Sequence, residues 1–227
     1  MTSGTGKGTK QLRYIAVEGP IGVGKTTLAR RLAESFGSDL MLEEPLQNPF
    51  LEKFYANPPQ AALSTQLHFL LHRTQQLQSL QQNDLFRPVC VADYLMEKDR
   101  LFAEVTLDRH ELALYEQLYA HLTIDVPTPD LVIYLQAPVP ILHDRIHKRG
   151  IAAERNISKE YLQRLVDAYT DFFHRFEATT LLIVNAAAID FAGNESDYRQ
   201  LLEFIGRLRG GRHYFNPLPI STAAGDG

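Results

Sequence analysis

A parallel α/β fold, five strands with helices on both faces of the sheet, is the architecture that this 227-residue chain predicts. Three observations lead there. Short β-rich runs alternate with helix-length apolar periodicities along the chain. The intervals between those runs suit crossover helices. Three glycines crowd between positions 19 and 24, immediately after the first run.

The elements follow in order. Residues 13–18 (RYIAVE) read as a strand. Lys25–Phe36 reads as a helix, with Leu28, Ala29, Leu32, Ala33 and Phe36 at helical spacing and Gly37 as its stop. Residues 40–42 are a brief strand ending in Glu43-Glu44-Pro45, and 49–55 a short helix. Asn57-Pro58-Pro59 reads as a turn and 60–82 as a long helix rich in Gln and Leu. Residues 88–92 (PVCVA) form a buried-type strand ending at Asp93, with helical patterns at 95–103 and 108–123. Residues 130–135 are a strand, 138–149 a helix and 150–157 a polar loop. Residues 158–176 are a helix capped by Ser158, 181–185 the last strand, and 196–209 the last helix. No internal repeat interrupts this order.

Composition bounds the function. With 44% hydrophobic residues the chain can build one sizeable core. Its charge, 23 Lys+Arg against 27 Asp+Glu, is −4, which argues against a surface that grips nucleic acid or anionic membrane. No apolar run reaches the ~20 residues of a membrane span, and the polar residues 1–10 do not form a secretory signal. The single cysteine, Cys90, excludes an internal disulfide framework; it suits a reducing compartment, and the expectation is a cytoplasmic protein. The glycine-rich ends, 1–11 and 210–227, read as flexible tails around one domain at 12–209.

Gly19-Pro-Ile-Gly-Val-Gly24-Lys25-Thr26 fits the phosphate-binding pattern G-x-x-x-x-G-K-[ST], between a strand and a helix as that pattern requires. Backbone N–H groups and the helix N-terminus favour phosphate there. Gly19, Gly22, Val23, Gly24, Lys25, Thr26 and Thr27 are the candidate nucleotide contacts. Lys25 faces the β/γ-phosphates and the Thr26 hydroxyl ligates Mg²⁺. A GTPase is disfavoured: Asp190-Phe-Ala-Gly193 follows the last strand, not the third, and no N-K-x-D exists.

Functional groups of an open parallel sheet gather at the carboxyl ends of its strands. Thymidylate kinases resemble this layout but carry arginines at the positions of Glu43 and Tyr94, which suit an acceptor that already bears phosphate. A carboxylate there repels a monophosphate and can take a proton from a hydroxyl. Glu44 is the candidate general base, and Asp93 the second Mg²⁺ ligand, directly or through water; it can at the same time cap the helix that follows.

Here the chain resembles the deoxynucleoside kinase family, which includes bacterial deoxyadenosine and deoxyguanosine kinases and animal deoxycytidine kinase. The resemblance spans about residues 14–204. It rests on the phosphate loop, Glu44-Pro45, Asn48-Pro-Phe-Leu-Glu-Lys-Phe-Tyr55, Gln66 with Arg73 seven residues on, Asp93 with Asp99 six on, and Arg145-Ile-His-Lys-Arg149-Gly. It implies a P-loop kinase fold that moves the γ-phosphate of ATP to the 5′-hydroxyl of a deoxynucleoside, purines modestly favoured, in nucleotide salvage, with Mg²⁺ and as a homodimer. It implies that Gln66 binds the base edge, that Arg73 and Asp99 form a pair at its far end, that Phe69 packs on it, and that Tyr55 and Glu154 hold the sugar 3′-OH. The basic segment 145–155 resembles the family's lid, at about 147–157 here; Arg145, Arg149 and Arg155 would meet the triphosphate, Arg149 as a catalytic group. Two departures stand out. Tyr94 occupies the place of an arginine that positions the 5′ oxygen and phosphate, so another group must substitute. The lid has Ile151 and Ala153 where animal members carry Arg and Glu, leaving Arg155 to compensate. A nucleoside-monophosphate kinase, and a nucleotide-binding protein without kinase activity, remain as alternatives.

Overall fold

A computed structural model describes residues 12–82, 89–123 and 126–216; the expected tail at 1–11, Pro88 of the third strand and residues 217–227 lie outside it. Eight α-helices and six strands are described: β1 (Tyr14–Glu18), α1 (Lys25–Phe36), β2 (Asp39–Met41), α2 (Leu51–Ala56), α3 (Pro58–Gln82), β3 (Cys90–Ala92), α4 (Lys98–Thr106), α5 (Arg109–Leu122), β4 (Leu131–Gln136), α6 (Val139–Arg149), α7 (Lys159–His174), β5 (Thr180–Asn185), α8 (Glu195–Arg207) and β6 (Arg212–Phe215). Short 3-10 turns occupy Pro45–Gln47 and Ala152–Asn156.

All strands are parallel, in the order β2-β3-β1-β4-β5-β6. The chain departs from β1 toward β2 and β3 on one side and toward β4, β5 and β6 on the other. That reversal opens a crevice beyond the carboxyl end of β1.

Strand alternation assigns each residue to a layer. Ile15 and Val17 of β1, with Ile133, Leu135, Leu182 and Val184, pack on Leu28, Leu32, Leu142, Leu201 and Ile205 of α1, α6 and α8. Their neighbours Ala16, Val132, Tyr134, Leu181 and Ile183 face α4 and α7 through Leu101, Leu165, Tyr169 and Phe173. Tyr134 stacks on Phe173 with ring centroids 4.0 Å apart. Farther along the same face, Met41, Cys90 and Ala92 meet Leu70 and Leu77 of α3 and Tyr115 of α5.

The structure differs from the sequence reading in three places. The sheet has six strands, not five. The sixth, β6, lies inside the segment 210–227 that was expected to be a loose tail. It pairs with β5 from Leu181↔Arg212 to Val184↔Phe215 after the Gly210-Gly211 turn. Arg212 fastens it, donating to the carbonyls of Phe173 (3.0 Å), His174 (2.8 Å) and Phe176 (3.2 Å) at the end of α7. Lastly, Pro58 and Pro59 open α3 instead of forming a separate turn. Proline suits the first helical turn, where the missing N–H has no intrahelical partner to lose.

Candidate active site

The loop after β1 depends on glycine at its tightest points. Gly19 has φ 151°, and a Cβ there would lie 2.5 Å from the Leu135 carbonyl oxygen. Gly22 has φ 82°, and its Cβ would lie 2.8 Å from Ile146 Cγ1. Left-handed backbone and close approach both exclude a side chain. Glu18 anchors the loop from behind. Its buried carboxylate accepts hydrogen bonds from the Gly19 N–H (2.7 Å) and the Tyr169 hydroxyl (2.8 Å) on one oxygen, and from the Leu95 N–H (2.8 Å) on the other.

Lys25 arches back over the loop, its Nζ donating to the carbonyls of Gly19 (2.7 Å) and Pro20 (3.2 Å). Burial pushes its pKa down to about 8, and the charge of Lys98 adds to that depression. Thr26 Oγ1 donates to Asp93 Oδ2 at 2.6 Å. The other Asp93 oxygen accepts from the Glu43 N–H at 2.7 Å. Asp93 is therefore not an N-cap: α4 begins only at Lys98, and the carboxylate bridges β2 and the phosphate loop instead.

Two clefts open on either side of Lys25. The first, about 460 Å³, is lined by Gly22, Val23, Gly24, Lys25, Thr26 and Thr27, by Arg145 and Arg149, and by the loop Ile189-Asp190-Phe191-Ala192. Arg145 also ties this wall together, donating to the carbonyls of Val23 (3.2 Å) and Ala186 (2.9 Å). Asp190-Phe-Ala-Gly193, which failed as a GTPase signature, thus belongs to this cleft by position: Phe191 packs so closely on Gly24 that a Cβ there would lie 3.0 Å from its Cζ.

The second cleft, about 260 Å³, shares Gly22, Lys25, Thr26 and Arg149 with the first. It adds Glu43, Tyr55, Gln66, Phe69, Arg73, Asp93, Lys98, Phe102, Ile151 and Glu154 among its walls. Its floor carries a balanced quartet of buried charges. Arg73 is ion-paired with both Glu43 and Asp99, and Lys98 Nζ lies 2.6 Å from the second Glu43 oxygen. Burial raises the Glu43 carboxyl, but Arg73 and Lys98 more than offset it and hold the group well below the usual carboxylate range. Arg73 also lies over Phe69, 4.9 Å from the ring centroid. Gln66 Nε2 donates to Thr106 Oγ1 at 3.2 Å. At the rim, Arg149 reaches Glu154 at 2.5 Å, joining the end of α6 to the 3-10 turn that follows it.

Most of the residues singled out by sequence converge here; four are placed differently. Gly19, an expected nucleotide contact, lines neither cleft and donates its N–H to Glu18 instead. Glu44, the expected base, is exposed and lines neither cleft; its carboxylate faces Gln47 within its own turn. Glu43 holds the cleft position. Arg155 is exposed and lines neither cleft, whereas Arg149 lines both. Asp99 stands behind Arg73 and does not line the cleft itself. Lys98 and Phe102 were not anticipated. Tyr94, at the position of the missing arginine, is fully buried and donates its hydroxyl to Gln76 Oε1 at 2.8 Å.

The family model described as Deoxynucleoside kinase matches residues 15–208. This chain belongs to that family. Among relatives, a deoxyguanosine kinase of Bacillus subtilis is 38% identical over 201 residues, covering 86% of this chain and 97% of the relative. A deoxyadenosine kinase of Lactobacillus acidophilus is 27% identical over 209 residues, covering 86% and 95%. Among solved structures, a deoxyadenosine kinase from M. mycoides with the products dCMP and a flexible dCDP bound superposes with a TM-score of 0.75 at 22% identity, covering 86% of this chain and all of that one. The family resemblance read from the sequence is thereby shown, as is the fold, and the reaction is a kinase's phosphoryl transfer to a deoxynucleoside. Among the described residues no helix is long and apolar enough to cross a membrane.

Proposed function

We propose that the chain moves the γ-phosphate of ATP to the 5′-hydroxyl of a purine deoxynucleoside, giving the 5′-monophosphate and ADP. The observation that carries this reading is the pair of clefts meeting at Lys25 and Thr26, with the Glu43 carboxylate on the wall of only one of them. ATP occupies the cleft of the phosphate loop, where backbone N–H groups, Lys25 and Arg149 meet its phosphates. The deoxynucleoside occupies the other cleft: Gln66 and Arg73 address the base, Phe69 packs on it, and Tyr55 and Glu154 hold the sugar.

Glu43 is the general base. It is ionised at neutral pH because two cations hold it so, and it takes the 5′-hydroxyl proton as the oxygen attacks phosphorus. The quartet around it cancels its own charge: Arg73 and Lys98 against Glu43 and Asp99. The Glu43 carboxylate on that wall would repel an acceptor that already bears phosphate, which favours a neutral acceptor over the thymidylate-kinase alternative.

Thr26 and Asp93 fit Mg²⁺. A hydroxyl and a carboxylate 2.6 Å apart beside the phosphate loop are hard oxygen donors of the kind it takes, phosphates and water completing its shell. Burial raises the Asp93 carboxyl, a cost that a divalent cation offsets. Bound there, Mg²⁺ would neutralise charge on the β/γ-phosphates. The lid at 147–157 shields the transfer from water through Arg149 and Ile151. Exposed Leu71, Leu114 and Leu118 on α3 and α5 support a homodimer through these helices, and the single cysteine suits a cytoplasmic salvage enzyme.

Deoxyguanosine, deoxyadenosine, deoxycytidine and thymidine, and each of their 5′-monophosphates, are to be offered with ATP and Mg²⁺. Phosphorylation of the purine deoxynucleosides in preference to the others is expected. Phosphorylation of monophosphates alone would overturn the acceptor assignment.

A further inference from the structure

Tyr94, the residue after Asp93, contributes no charge to the acceptor cleft. Its own ring is wholly buried and its hydroxyl is committed to Gln76, on the side of α3. Four residues on, the chain supplies an ammonium group. Lys98 is the first residue of α4, yet only 5% of it is exposed. Burying a lysine is costly unless its charge is met, and here the Nζ is met at 2.6 Å by Glu43 Oε2. The Phe102 ring, with its centroid 5.4 Å from Nζ, closes one side. Lys98 lines the acceptor cleft, which it shares with Lys25 and Thr26 of the phosphate loop. A positively charged group on the first turn of a helix gains nothing from the helix dipole, whose positive end lies there. Its position answers to the cleft.

We propose that Lys98 is the cation that meets the transferred phosphoryl group in the acceptor cleft. The 5′ oxygen forms its bond to the γ-phosphorus, and the bond from that phosphorus to the β,γ-bridging oxygen breaks, its electron pair leaving with ADP. The 5′-hydroxyl proton goes to Glu43. The new 5′-phosphate then lies in the cleft whose wall carries the Lys98 ammonium, 2.6 Å from Glu43 Oε2 and in the same cleft as Lys25 and Thr26 of the phosphate loop. Arg73 is committed to Asp99 as well as to Glu43, so Lys98 is the freer of the two cations.

This rests on the kinase reading above, and the test separates the two. Wild-type protein is first assayed with deoxyguanosine and ATP; if it phosphorylates no deoxynucleoside at all, that reading fails. Given turnover, Lys98→Met and Lys98→Arg are compared with wild type for kcat, for the KM of each substrate, and for the Kd of deoxyguanosine and of its 5′-monophosphate by calorimetry. Lys98→Met should lose about 10²–10³-fold in kcat and at least tenfold in affinity for the monophosphate, while deoxyguanosine affinity stays within about threefold; each tenfold corresponds to about 1.4 kcal/mol. Lys98→Arg, which keeps the charge, should recover most of both losses. A role confined to propping up Glu43 would lower affinity for nucleoside and monophosphate equally, or leave the monophosphate unaffected, and either result overturns the proposal. If Lys98→Met does not fold, Lys98→Gln and Lys98→Arg are compared in the same two binding measurements, with the same two outcomes deciding.

Discussion

The two clefts are built in opposite ways. Half of the donor cleft is one stretch of chain, Gly22 to Thr27, closed by two arginines of α6 and the short loop after β5. The acceptor cleft draws its walls from the phosphate loop, the end of β2, α2, α3, the end of β3, α4 and the 3-10 turn after α6. The first is shaped by backbone conformation, which six consecutive residues can dictate. The second is held in register by buried ion pairs between residues 30 to 55 positions apart, Arg73 and Lys98 on Glu43. A site made by local geometry is robust to change elsewhere. A site made by matched charges fails when one member goes.

The sharpest way to break the comparison is to move one carboxylate. Glu43→Gln should cut kcat by about 10²–10⁴-fold, the usual worth of a positioned general base, with ATP affinity unchanged because the donor cleft does not include it. Glu44→Gln should stay within about threefold, as expected for a carboxylate outside the clefts. Steady-state kinetics of the two variants decide; a crippled Glu44→Gln beside a healthy Glu43→Gln would return the base to the residue next to Pro45. Arg73→Met comes next. It leaves Asp99 without its cation and Glu43 with one, and should destabilise the fold by about 3–5 kcal/mol in urea denaturation, a penalty no single donor-cleft contact carries. The smallest effect belongs to Arg155→Ala. This exposed residue lines neither cleft, so stability should change by less than about 0.5 kcal/mol and the KM for ATP should hold. A large rise in that KM would place Arg155 over the phosphates after all.

What could be read in advance follows the same division. The phosphate loop and the parallel α/β order are written in contiguous residues, and both were legible. Strand alternation carries a signal that separates Glu43 from Glu44. Met41 packs on the face that carries α3, and Leu42 on the other. Two-residue alternation carries Glu43, not Glu44, to the face of Arg73. The resemblance at Glu44-Pro45 singles out the residue that lies outside the clefts. β6 escaped because it is four residues long, half exposed and preceded by two glycines, so it reads like an end. Lys98 left no trace at all: a lysine between Glu97 and Asp99 looks like a solvated helix start. Only the fold shows that Glu43 lies above it. Gln66, Arg73 and Asp99 were found through family likeness; their spacing alone describes any polar stripe on a helix.

Glu18 ties these two unlike sites into one inheritance. One of its oxygens holds the first amide of the phosphate loop, and the other holds the Leu95 amide, in the segment that leads from β3 into Lys98. Exchanging residues 94–98 with those of a relative to change the acceptor is therefore not a graft onto an inert frame. Unless the transplanted amide returns to the same oxygen, a buried carboxylate loses one of its three donors. The cost would then fall on the nucleotide loop across the sheet. In this chain the acceptor segment and the donor loop share one buried carboxylate, so a change at one end reaches the other.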